Sequence, residues 1–559
     1  MKWCIREVDK QLLSYFSNEI NLHPLIATLL INRNIKDKDE AEIFLASQIS
    51  QLSDPHKIKG VDKALERIKI AKEKAEKVFI FGDYDVDGIS ACALLESSLK
   101  KLGIETVVYL PHRMEEGYGL NMKAVNEAKA LKARLFISVD CGIGSFEEIE
   151  KLNSYKIDSI IIDHHQPKSK KLPKAVAIIN PKVNKNEANL SSLAAVGLVF
   201  KLVQALFDSN LEEDLDFVAL GTICDVVPLI GENRIFVKEG LKRISQTKRV
   251  GIRALKEVAG IKDRKITAGL IGFTLGPRLN ASGRIDSAQK SLKLLTCSDE
   301  AEAMLLAKGL NEANRKRQRI EDKILKEALT KVEREVNFKE HSVIVVGGDD
   351  WHPGVVGIIA SKLANRYYRP AFVLGLETGV YRGSGRSINN FHLFEALSEC
   401  DSLLESYGGH RGAAGLKLLE KDLEEFRKSI NAVAKAKLKP EDLVPILNID
   451  AEVDLSLWQD RQLIDRIEEF APFGIGNPRP VFCSRNLFLK SAPLAIGKRS
   501  LRFWVSDGSF TAKAIGFGMA EYANLLNENS RIDLAYSVSI DTWGEPVVQL
   551  EIKAIKERI

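Results

Sequence analysis

A short apolar run followed at once by three alternating carboxylates constrains the fold of this chain more than any other stretch. Residues 77–81 (KVFIF) have the character of a buried parallel strand, and Asp83, Asp85 and Asp87 follow directly, closed by Gly88. Three like charges within five residues repel one another unless a cation lies between them. Because ligands in α/β proteins bind beyond the carboxyl ends of strands, the stretch predicts a cation site there. A solvated acidic loop is the alternative for this stretch alone.

The same pattern recurs three times. Apolar residues 135–139 precede Asp140, residues 159–162 precede Asp163, His164 and His165, and residues 218–223 lead through Cys224 to Asp225. We expect parallel strands to gather these four ends at one sheet edge. Carboxylates and imidazoles without sulfur suit Mn²⁺ or Mg²⁺, and enough are present for two ions. Such a pair suits activation of a water and stabilisation of a leaving oxygen in phosphoester hydrolysis.

Apolar strands alternate with helical segments between residues 77 and 230. The helical segments are 89–101, 121–131, 145–153 and 193–208. This βαβ alternation predicts an α/β fold with a doubly wound parallel sheet. Residues 1–75 have helical character and predict a lid or brace.

The remaining sequence predicts four further features. Residues 235–290 are mostly helical with a break at 276–284, residues 298–336 form one long helix, and a smaller α/β unit opens at 342. Five short alternating segments between 443 and 559 predict an OB-like β-barrel, with a weak basic and aromatic patch at Lys498, Arg499, Arg502, Phe503 and Trp504. The predicted domains are an N-terminal helical segment (1–75), a catalytic domain (76–290), a connecting helix (291–338), a second α/β domain (339–438) and a single-strand-binding barrel (443–559).

The amino-acid composition gives little information about what the protein binds. A net charge of +5 on 559 residues barely leans basic, so any nucleic-acid path must be local. The sequence has no run of eighteen apolar residues and no N-terminal signal of the basic-then-apolar type, from which we expect a cytoplasmic protein without a membrane segment. Seven scattered cysteines without a CxxC pair predict reduced thiols.

The acidic segments resemble those of the DHH phosphoesterase superfamily. DYDVDG, SVDCG, DHH and GTICDVVPL correspond to its metal-site motifs. GPRLNASGR, WHPGVVGIIAS, GSGRS, GGHRGAAG and APFGIGNPRPVF extend the resemblance to the RecJ family of bacterial single-strand-specific 5′→3′ DNA exonucleases, over nearly the whole chain. The resemblance implies a DHH domain, a DHHA1 domain and an OB domain. It also implies degradation of single-stranded DNA to 5′-mononucleotides in recombination and repair.

The resemblance also implies roles for individual residues. Asp85 and Asp140 would hold one Mn²⁺ or Mg²⁺ ion, and Asp87, Asp140, His164 and Asp225 the other. His165 would face the scissile phosphate, Asp83 would be a ligand or would orient one, and Arg278 would contact the scissile or adjacent phosphate. A glycine-rich turn carrying Ser384 and Arg386 would hold the 5′ phosphate together with Arg113, and His410 would lie close to a phosphate.

Two alternatives remain open at this point. The first is another DHH activity, such as an oligoribonuclease, a cyclic-dinucleotide phosphodiesterase or a pyrophosphatase, against which the C-terminal barrel counts. The second is a catalytically silent single-strand-binding scaffold, against which the complete ligand set counts. By resemblance we expect single-stranded DNA as partner, a helicase and a single-strand-binding protein as co-workers, and a monomer.

Overall fold

The computed structural model describes residues 1–558 except 114, 168, 185, 186, 188, 189, 210, 286, 498, 528, 529 and 542–544. Its first α/β unit has a parallel sheet of strand order β3-β2-β4-β5-β6. The strands are β2 (Val78–Gly82), β3 (Thr106–Tyr109), β4 (Leu135–Val139), β5 (Asp158–Ile162) and β6 (Ala177–Ile179). This order reverses direction at β2, as in a doubly wound fold. The predicted fold class is therefore confirmed.

Helices cover both faces of this sheet because its central strands are apolar on both sides. Strands β2 and β4 are buried at every position. One face packs against α5 (Val86–Lys101) and α8 (Ala195–Phe207), and the other against α6 (Met122–Ala130) and α7 (Phe146–Ser154). The unit continues through α9 (Leu215–Cys224), α10 (Gly231–Ser245), α11 (Val250–Val258), α12 (Ala268–Leu270), a π-helix (Ile271–Leu275), α13 (Gly276–Ile285) and α14 (Gln289–Thr296).

Two sequence predictions within this unit were wrong. The apolar run 218–223 belongs to the buried helix α9, so Asp225 lies at a helix C-terminus instead of a strand end. A continuous apolar run does not distinguish a buried helix from a buried strand. The predicted break at 276–284 is instead helical: α13 follows directly on the π-helix Ile271–Leu275, with Pro277 at its second position.

The long helix α15 (Glu300–Glu335) leads into the second α/β unit. The sheet of that unit has strand order β10-β11-β9-β8-β7. Its elements are β7 (Ile344–Asp349), α16 (Pro353–Tyr367), β8 (Ala371–Glu377), β9 (Val380–Arg386), α17 (Leu393–Ser398), β10 (Ser406–Gly409), β11 (Ala413–Leu419) and α18 (Leu423–Lys437). The predicted glycine-rich turn at Ser384 and Arg386 is instead strand β9, hydrogen-bonded on both sides by β8 and β11. Among the described helices, none is long and apolar enough to span a membrane.

The C-terminal strands form a curled sheet of order β13-β14-β18-β19-β17-β16-β15, in which β14 also pairs with β16 and so closes a barrel. The elements of this C-terminal unit are β12 (Ile446–Ile449), which lies outside the seven-stranded sheet, β13 (Ala451–Glu452), α19 (Arg461–Glu468), β14 (Phe482–Leu489), β15 (Leu494–Ile496), β16 (Ser500–Ser506), β17 (Thr511–Phe517), β18 (Arg531–Asp541) and β19 (Val547–Arg558). The five predicted strands are present.

The N-terminal segment is divided between two cores. Strand β1 (Lys2–Ile5) pairs with β12, and the apolar residues of α2 (Pro24–Ile31) share a core with the barrel. Helix α4 (Val61–Glu73) instead packs into the first α/β unit. The other N-terminal elements are α1 (Lys10–Ser14), a π-helix (Tyr15–Glu19) and α3 (Lys38–Ala46).

The predicted patch on the barrel is only partly available to a ligand. Phe503 is buried in the barrel core, whereas Trp504 is 37% exposed on the outer face. Arg502 lies on the same side of β16 as Trp504. Lys498 lies outside the described residues.

Candidate active site

The carboxylates that follow β2, β4 and β5 meet the end of α9 at one edge of the first sheet. Asp83 and Asp140 are buried there, and Asp140 has a left-handed backbone (φ 63°) that turns its side chain into the cluster. The ligand atoms form three groups in which all lie within 4.8 Å of one another. The groups are Asp83–Asp85–Asp140, Asp87–His164–Asp225 and Asp140–His164–His165. The sequence-predicted metal ligands are thus brought together.

Several of these atoms lack partners although they are buried. Oδ1 of Asp83, Oδ1 of Asp140, Oδ2 of Asp225 and Nε2 of His164 have no hydrogen-bond partner among the described residues. Burial, followed by repulsion from neighbouring carboxylates, raises the pKa of Asp87 to about 7 and that of Asp225 to about 9. Burial and the neighbouring His165 lower the pKa of His164 to about 3, which leaves a neutral imidazole. This donor set fits divalent cations, which would supply the missing positive charge.

The side chains of Asp85 and Asp87 also accept hydrogen bonds from backbone N–H groups at the starts of two helices. Oδ1 of Asp85 accepts from the backbone N–H of Asp87 (2.9 Å) and caps α5. The two carboxylate oxygens of Asp87 accept from the N–H groups of Ala195 (2.7 Å) and Val196 (2.9 Å) at the start of α8. Each carboxylate retains lone pairs beyond these bonds. Two helices therefore fix both carboxylates at the sheet edge.

His165 is held by two neighbours. Its Nδ1 lies 2.7 Å from Oδ1 of Asp163, whose Oδ2 accepts from the N–H of Ile143 (2.9 Å). Burial is the largest single effect and lowers the pKa of His165, but the hydrogen bond to Asp163 and the charge of that carboxylate together outweigh it and leave the pKa raised. The Tyr118 hydroxyl lies 3.1 Å from Nε2 of His165. Tyr118 was missed from the sequence, because a tyrosine in a polar loop gives no signal of contact with a residue 47 positions away.

Ser384 and Arg386 face helix α16 from alternate positions on β9. A Cβ added to Gly357 of α16 would stand 3.2 Å from Oγ of Ser384 and 3.2 Å from Nη2 of Arg386, so a side chain there would crowd both groups. Arg113 lies close enough to Arg386 to lower the pKa of its guanidinium, after the larger effect of burial. The Arg113 guanidinium also stacks over the ring of Tyr84, 5.1 Å from its centroid. The three predicted phosphate-binding residues are thus neighbours.

Arg284 joins this basic group, whereas Arg278 faces another direction. Burial, and next Arg113, lower the pKa of Arg284 to about 10, and Nη1 of Arg284 donates to the carbonyl of Gly354 at the start of α16. The guanidinium of Arg278 instead donates to the carbonyl of Thr274 and to Oδ1 of Asn311. The sequence identified both arginines, but it did not reveal that they lie on one helix, α13, which directs their side chains to different neighbours.

His410 lies at the end of β10, on the same side of the cleft. Burial lowers the pKa of His410, and the charges of Arg386 and His165 lower it further. His410 therefore lies near both the metal cluster and the basic group, although it is itself exposed. A cavity of about 190 Å³ opens between the two α/β units and is lined by Cys224, Val226 and Arg284, among others.

The fold and this site define a class of phosphoesterase. The family model of the DHH family, N-terminal domain, matches residues 77–222, and that of the DHHA1 domain matches residues 340–436. The model of the RecJ OB domain matches residues 449–554. The chain is therefore a metal-dependent phosphoesterase of the DHH superfamily with an added OB domain.

Comparisons with whole proteins identify the family within this class of phosphoesterase. The chain is 36% identical to the single-stranded-DNA-specific exonuclease RecJ of Bacillus subtilis, covering 100% of this chain and 71% of that protein. It is 34% identical to the Escherichia coli protein of the same name, covering 96% of each. The crystal structure of Thermus thermophilus RecJ in complex with Mn²⁺ superposes with a TM-score of 0.86 at 27% identity, covering 100% of this chain and 80% of that one. The chain belongs to the RecJ family.

Proposed function

We propose that this chain is a single-stranded-DNA-specific exonuclease that hydrolyses phosphodiester bonds in the 5′→3′ direction and releases 5′-mononucleotides. The observation that carries the proposal is the juxtaposition of two features. A carboxylate and imidazole cluster with unsatisfied ligand atoms lies beside a basic group built from Arg113, Arg284, Ser384 and Arg386. Together with membership of the RecJ family, this supports a role in DNA recombination and repair.

The metal ligands would be Asp85, Asp87, Asp140, His164 and Asp225, with Asp140 shared between two ions. Asp83 belongs to the same cluster and would serve as a ligand or orient one. The ions, Mn²⁺ or Mg²⁺, supply Lewis acidity for activating water and stabilising the leaving oxygen. The helix caps of Asp85 and Asp87 keep these side chains at fixed positions, so the cluster is preorganised.

His165 would act on the scissile phosphate. Asp163 fixes the orientation of the imidazole and favours its protonated form, as the raised pKa of His165 reflects. A protonated imidazole can donate to a phosphate oxygen and stabilise the charge that develops in the transition state. Tyr118 approaches the same ring from the loop that carries Arg113. Arg278 remains a proposed contact to a neighbouring phosphate further along the strand.

The polarity would be set by a pocket for the 5′ phosphate. Arg113 and Arg386 supply charge, and Ser384 supplies a hydroxyl. Helix α16 begins beside this group, and its N-terminus favours an anion. His410 would approach the next phosphate, since it lies between the basic group and His165.

Selection of single strands would be steric. The hydrogen bond from Arg284 to the carbonyl of Gly354 at the start of α16 joins the two α/β units. The resulting cleft would admit one strand and exclude a duplex. The exposed ring of Trp504 on the barrel would stack on bases further along the strand.

The alternative functions are less well supported. A DHH enzyme acting on dinucleotides has no use for the C-terminal barrel, and the curated relatives at full length carry the exonuclease name. A catalytically silent scaffold would not require a complete set of metal ligands.

The proposal has three further parts: a helicase and a single-strand-binding protein as partners, a monomeric state and a cytoplasmic location. The limits 1–75, 76–290, 291–338, 339–438 and 443–559 are proposed as its domains.

Degradation of end-labelled oligonucleotides tests the proposal. Single-stranded and duplex substrates labelled at the 5′ or the 3′ end are incubated with and without Mn²⁺. Immediate release of a labelled mononucleotide from the 5′ label, on single strands alone and abolished by a chelator, is the expected result. Release first from the 3′ label would refute the polarity and the pocket. Cleavage of dinucleotides but not of long strands would favour the other DHH activities, and binding without cleavage would favour a scaffold.

A further inference from the structure

The segment APFGIGNPRPVF has no part in the chemistry described so far. In the structure, its residues 473–477 form a loop, here called the clip, between α19 and β14. The clip lies against residues 228–230, which follow Asp225 along the chain. It therefore connects the C-terminal unit to the segment that carries a metal ligand.

The clip is rigid because one buried asparagine ties it together. Nδ2 of Asn477 donates to the carbonyls of Phe470 (2.7 Å) and Pro472 (2.9 Å), and its Oδ1 accepts from Nε of Arg33 (2.7 Å). The backbone of Asn477 also exchanges two hydrogen bonds with Gly474 (2.9 and 3.2 Å). With its side chain fully buried and every polar atom bonded, Asn477 fixes the shape of the loop.

Close backbone contact joins the clip to the segment after Asp225. The N–H of Leu229 donates to the carbonyl of Ile475 at 2.7 Å. A Cβ on Gly474 would stand 2.7 Å from Cδ1 of Leu229, and a Cβ on Gly476 would stand 3.0 Å from Cβ of Pro228. Both glycines are needed for this approach, and at Gly476 the left-handed backbone (φ 76°) adds a second reason.

The segment that the clip contacts begins with a strained backbone, which contacts from its surroundings must hold in place. Val226, directly after Asp225, has a left-handed backbone (φ 63°), which a β-branched side chain adopts only when its surroundings impose it. From the side of the first α/β unit, Nδ2 of Asn233 holds the carbonyl of Pro228 at 3.0 Å. The clip holds Leu229 from the opposite side. The peptide group between Pro228 and Leu229, three residues beyond Asp225, is therefore held from both sides by two units.

We propose that the clip positions Asp225 for metal binding, so that docking of the C-terminal unit sets the geometry of the metal site. Gly474, Gly476 and Asn477 are positioning residues that act through Leu229 and Pro228. The C-terminal unit then contributes to metal affinity in addition to any contact with DNA. The inference rests on the proposed role of Asp225 as a metal ligand.

Mn²⁺ affinity, measured by calorimetry on the full chain without DNA, tests the inference. Gly476→Ala should weaken Mn²⁺ binding about tenfold, a size typical of residues that orient metal ligands. Gly518→Ala is the matched control, because Gly518 has the same φ of 76° but nothing within 4 Å of an added Cβ. In both variants the added Cβ imposes the same strain on a left-handed backbone. Equal Mn²⁺ affinity in the two would overturn the inference.

A second variant covers the case in which Gly476→Ala does not fold. Gly474→Ala carries no left-handed strain and presses only on Leu229, so a smaller loss of Mn²⁺ affinity is expected. Unchanged affinity in this variant would count against the clip.

A double-mutant cycle separates the two proposals. In an Asp225→Asn background, Gly476→Ala should cause no further loss of Mn²⁺ affinity. An additive loss would show that the clip does not act through Asp225 and would overturn the inference. If Asp225→Asn alone leaves Mn²⁺ binding unchanged, the proposed metal site itself fails.

Discussion

Nε2 of His164 lies 3.2 Å from Oδ1 of Asp140, yet the two atoms form no hydrogen bond with each other or with any other atom of the described residues. The distance would suit an ion pair, but burial and His165 lower the pKa of His164 to about 3, so the imidazole is neutral. When the proton of this neutral imidazole is on Nδ1, the lone pair of Nε2 faces the same small space as Oδ1 of Asp140. A shared cation is the arrangement that satisfies both.

Asp140→Asn should abolish metal-dependent cleavage. The amide removes a charge from a carboxylate that two of the ligand groups share, and we expect Mn²⁺ affinity and nuclease activity each to fall at least about 100-fold. Calorimetric Mn²⁺ titration and single-strand degradation measure the two effects. Asp322→Asn, on the exposed face of α15, is the control for loss of a carboxylate. Full Mn²⁺ binding by Asp140→Asn would contradict the assignment.

Arg386→Ala should remove the preference for a 5′ phosphate. A charged hydrogen bond to phosphate contributes about 1.5–3 kcal/mol, so kcat/KM for a 5′-phosphorylated single strand should fall roughly 10- to 100-fold. Cleavage of the matching 5′-hydroxyl strand should change little. Arg382→Ala, four residues earlier on the same strand, is the control. An equal loss on both substrates would show that Arg386 acts on the strand in general instead of its end.

Much of the metal cluster could be predicted because it follows simple strand geometry. Asp83 and Asp140 lie beyond parallel strands, and such strands end at a common edge. The fourth segment placed Asp225 in the cluster, but for the wrong reason. Asp225 reaches the cluster from the C-terminus of α9, because a buried helix and a buried strand have the same apolar composition.

Contacts between distant segments could not be predicted. The stacking of Arg113 on Tyr84 and the approach of Tyr118 to His165 depend on how one loop folds over the sheet edge. The strand that carries Ser384 looked like a turn because of its glycines. In the structure those glycines allow a close approach to the neighbouring strands. A Cβ on Gly383 would stand 2.3 Å from the carbonyl oxygen of Val373 on β8.

Tyr118→Phe should reduce kcat with little effect on KM. The hydroxyl lies 3.1 Å from Nε2 of His165, and loss of one hydrogen bond of about 1 kcal/mol corresponds to roughly a fivefold decrease. The pH profile of kcat should also shift, because the hydrogen bond affects the protonation of His165. Tyr155→Phe removes a hydroxyl from a surface contact with Asn126 and serves as control. A rise in KM with unchanged kcat would assign Tyr118 to substrate binding instead.

The metal-free protein should lose stability as the pH rises through neutrality. The folded pKa values are about 7 for Asp87 and about 9 for Asp225, both above the ordinary value near 3.9 in an unfolded chain. A carboxyl whose pKa is raised by folding stabilises the folded state while protonated, and that contribution is lost as the pH rises through the folded pKa. We expect Tm in the presence of a chelator to fall by roughly 3–8 °C between pH 6 and 9.

Mg²⁺ should abolish this decline, because the cation favours the ionised carboxylates and replaces the proton. Asp225→Asn should make the metal-free decline between pH 8 and 9 less steep, since an amide does not titrate, while Asp83 and Asp140, whose pKa values burial also raises, still contribute. Thermal unfolding followed by circular dichroism, with chelator and with Mg²⁺ at each pH, measures both effects. A metal-free Tm that rises over this range would mean that the buried carboxylates are ionised and stabilised by groups of the protein itself, and the cluster would then have no need of a cation.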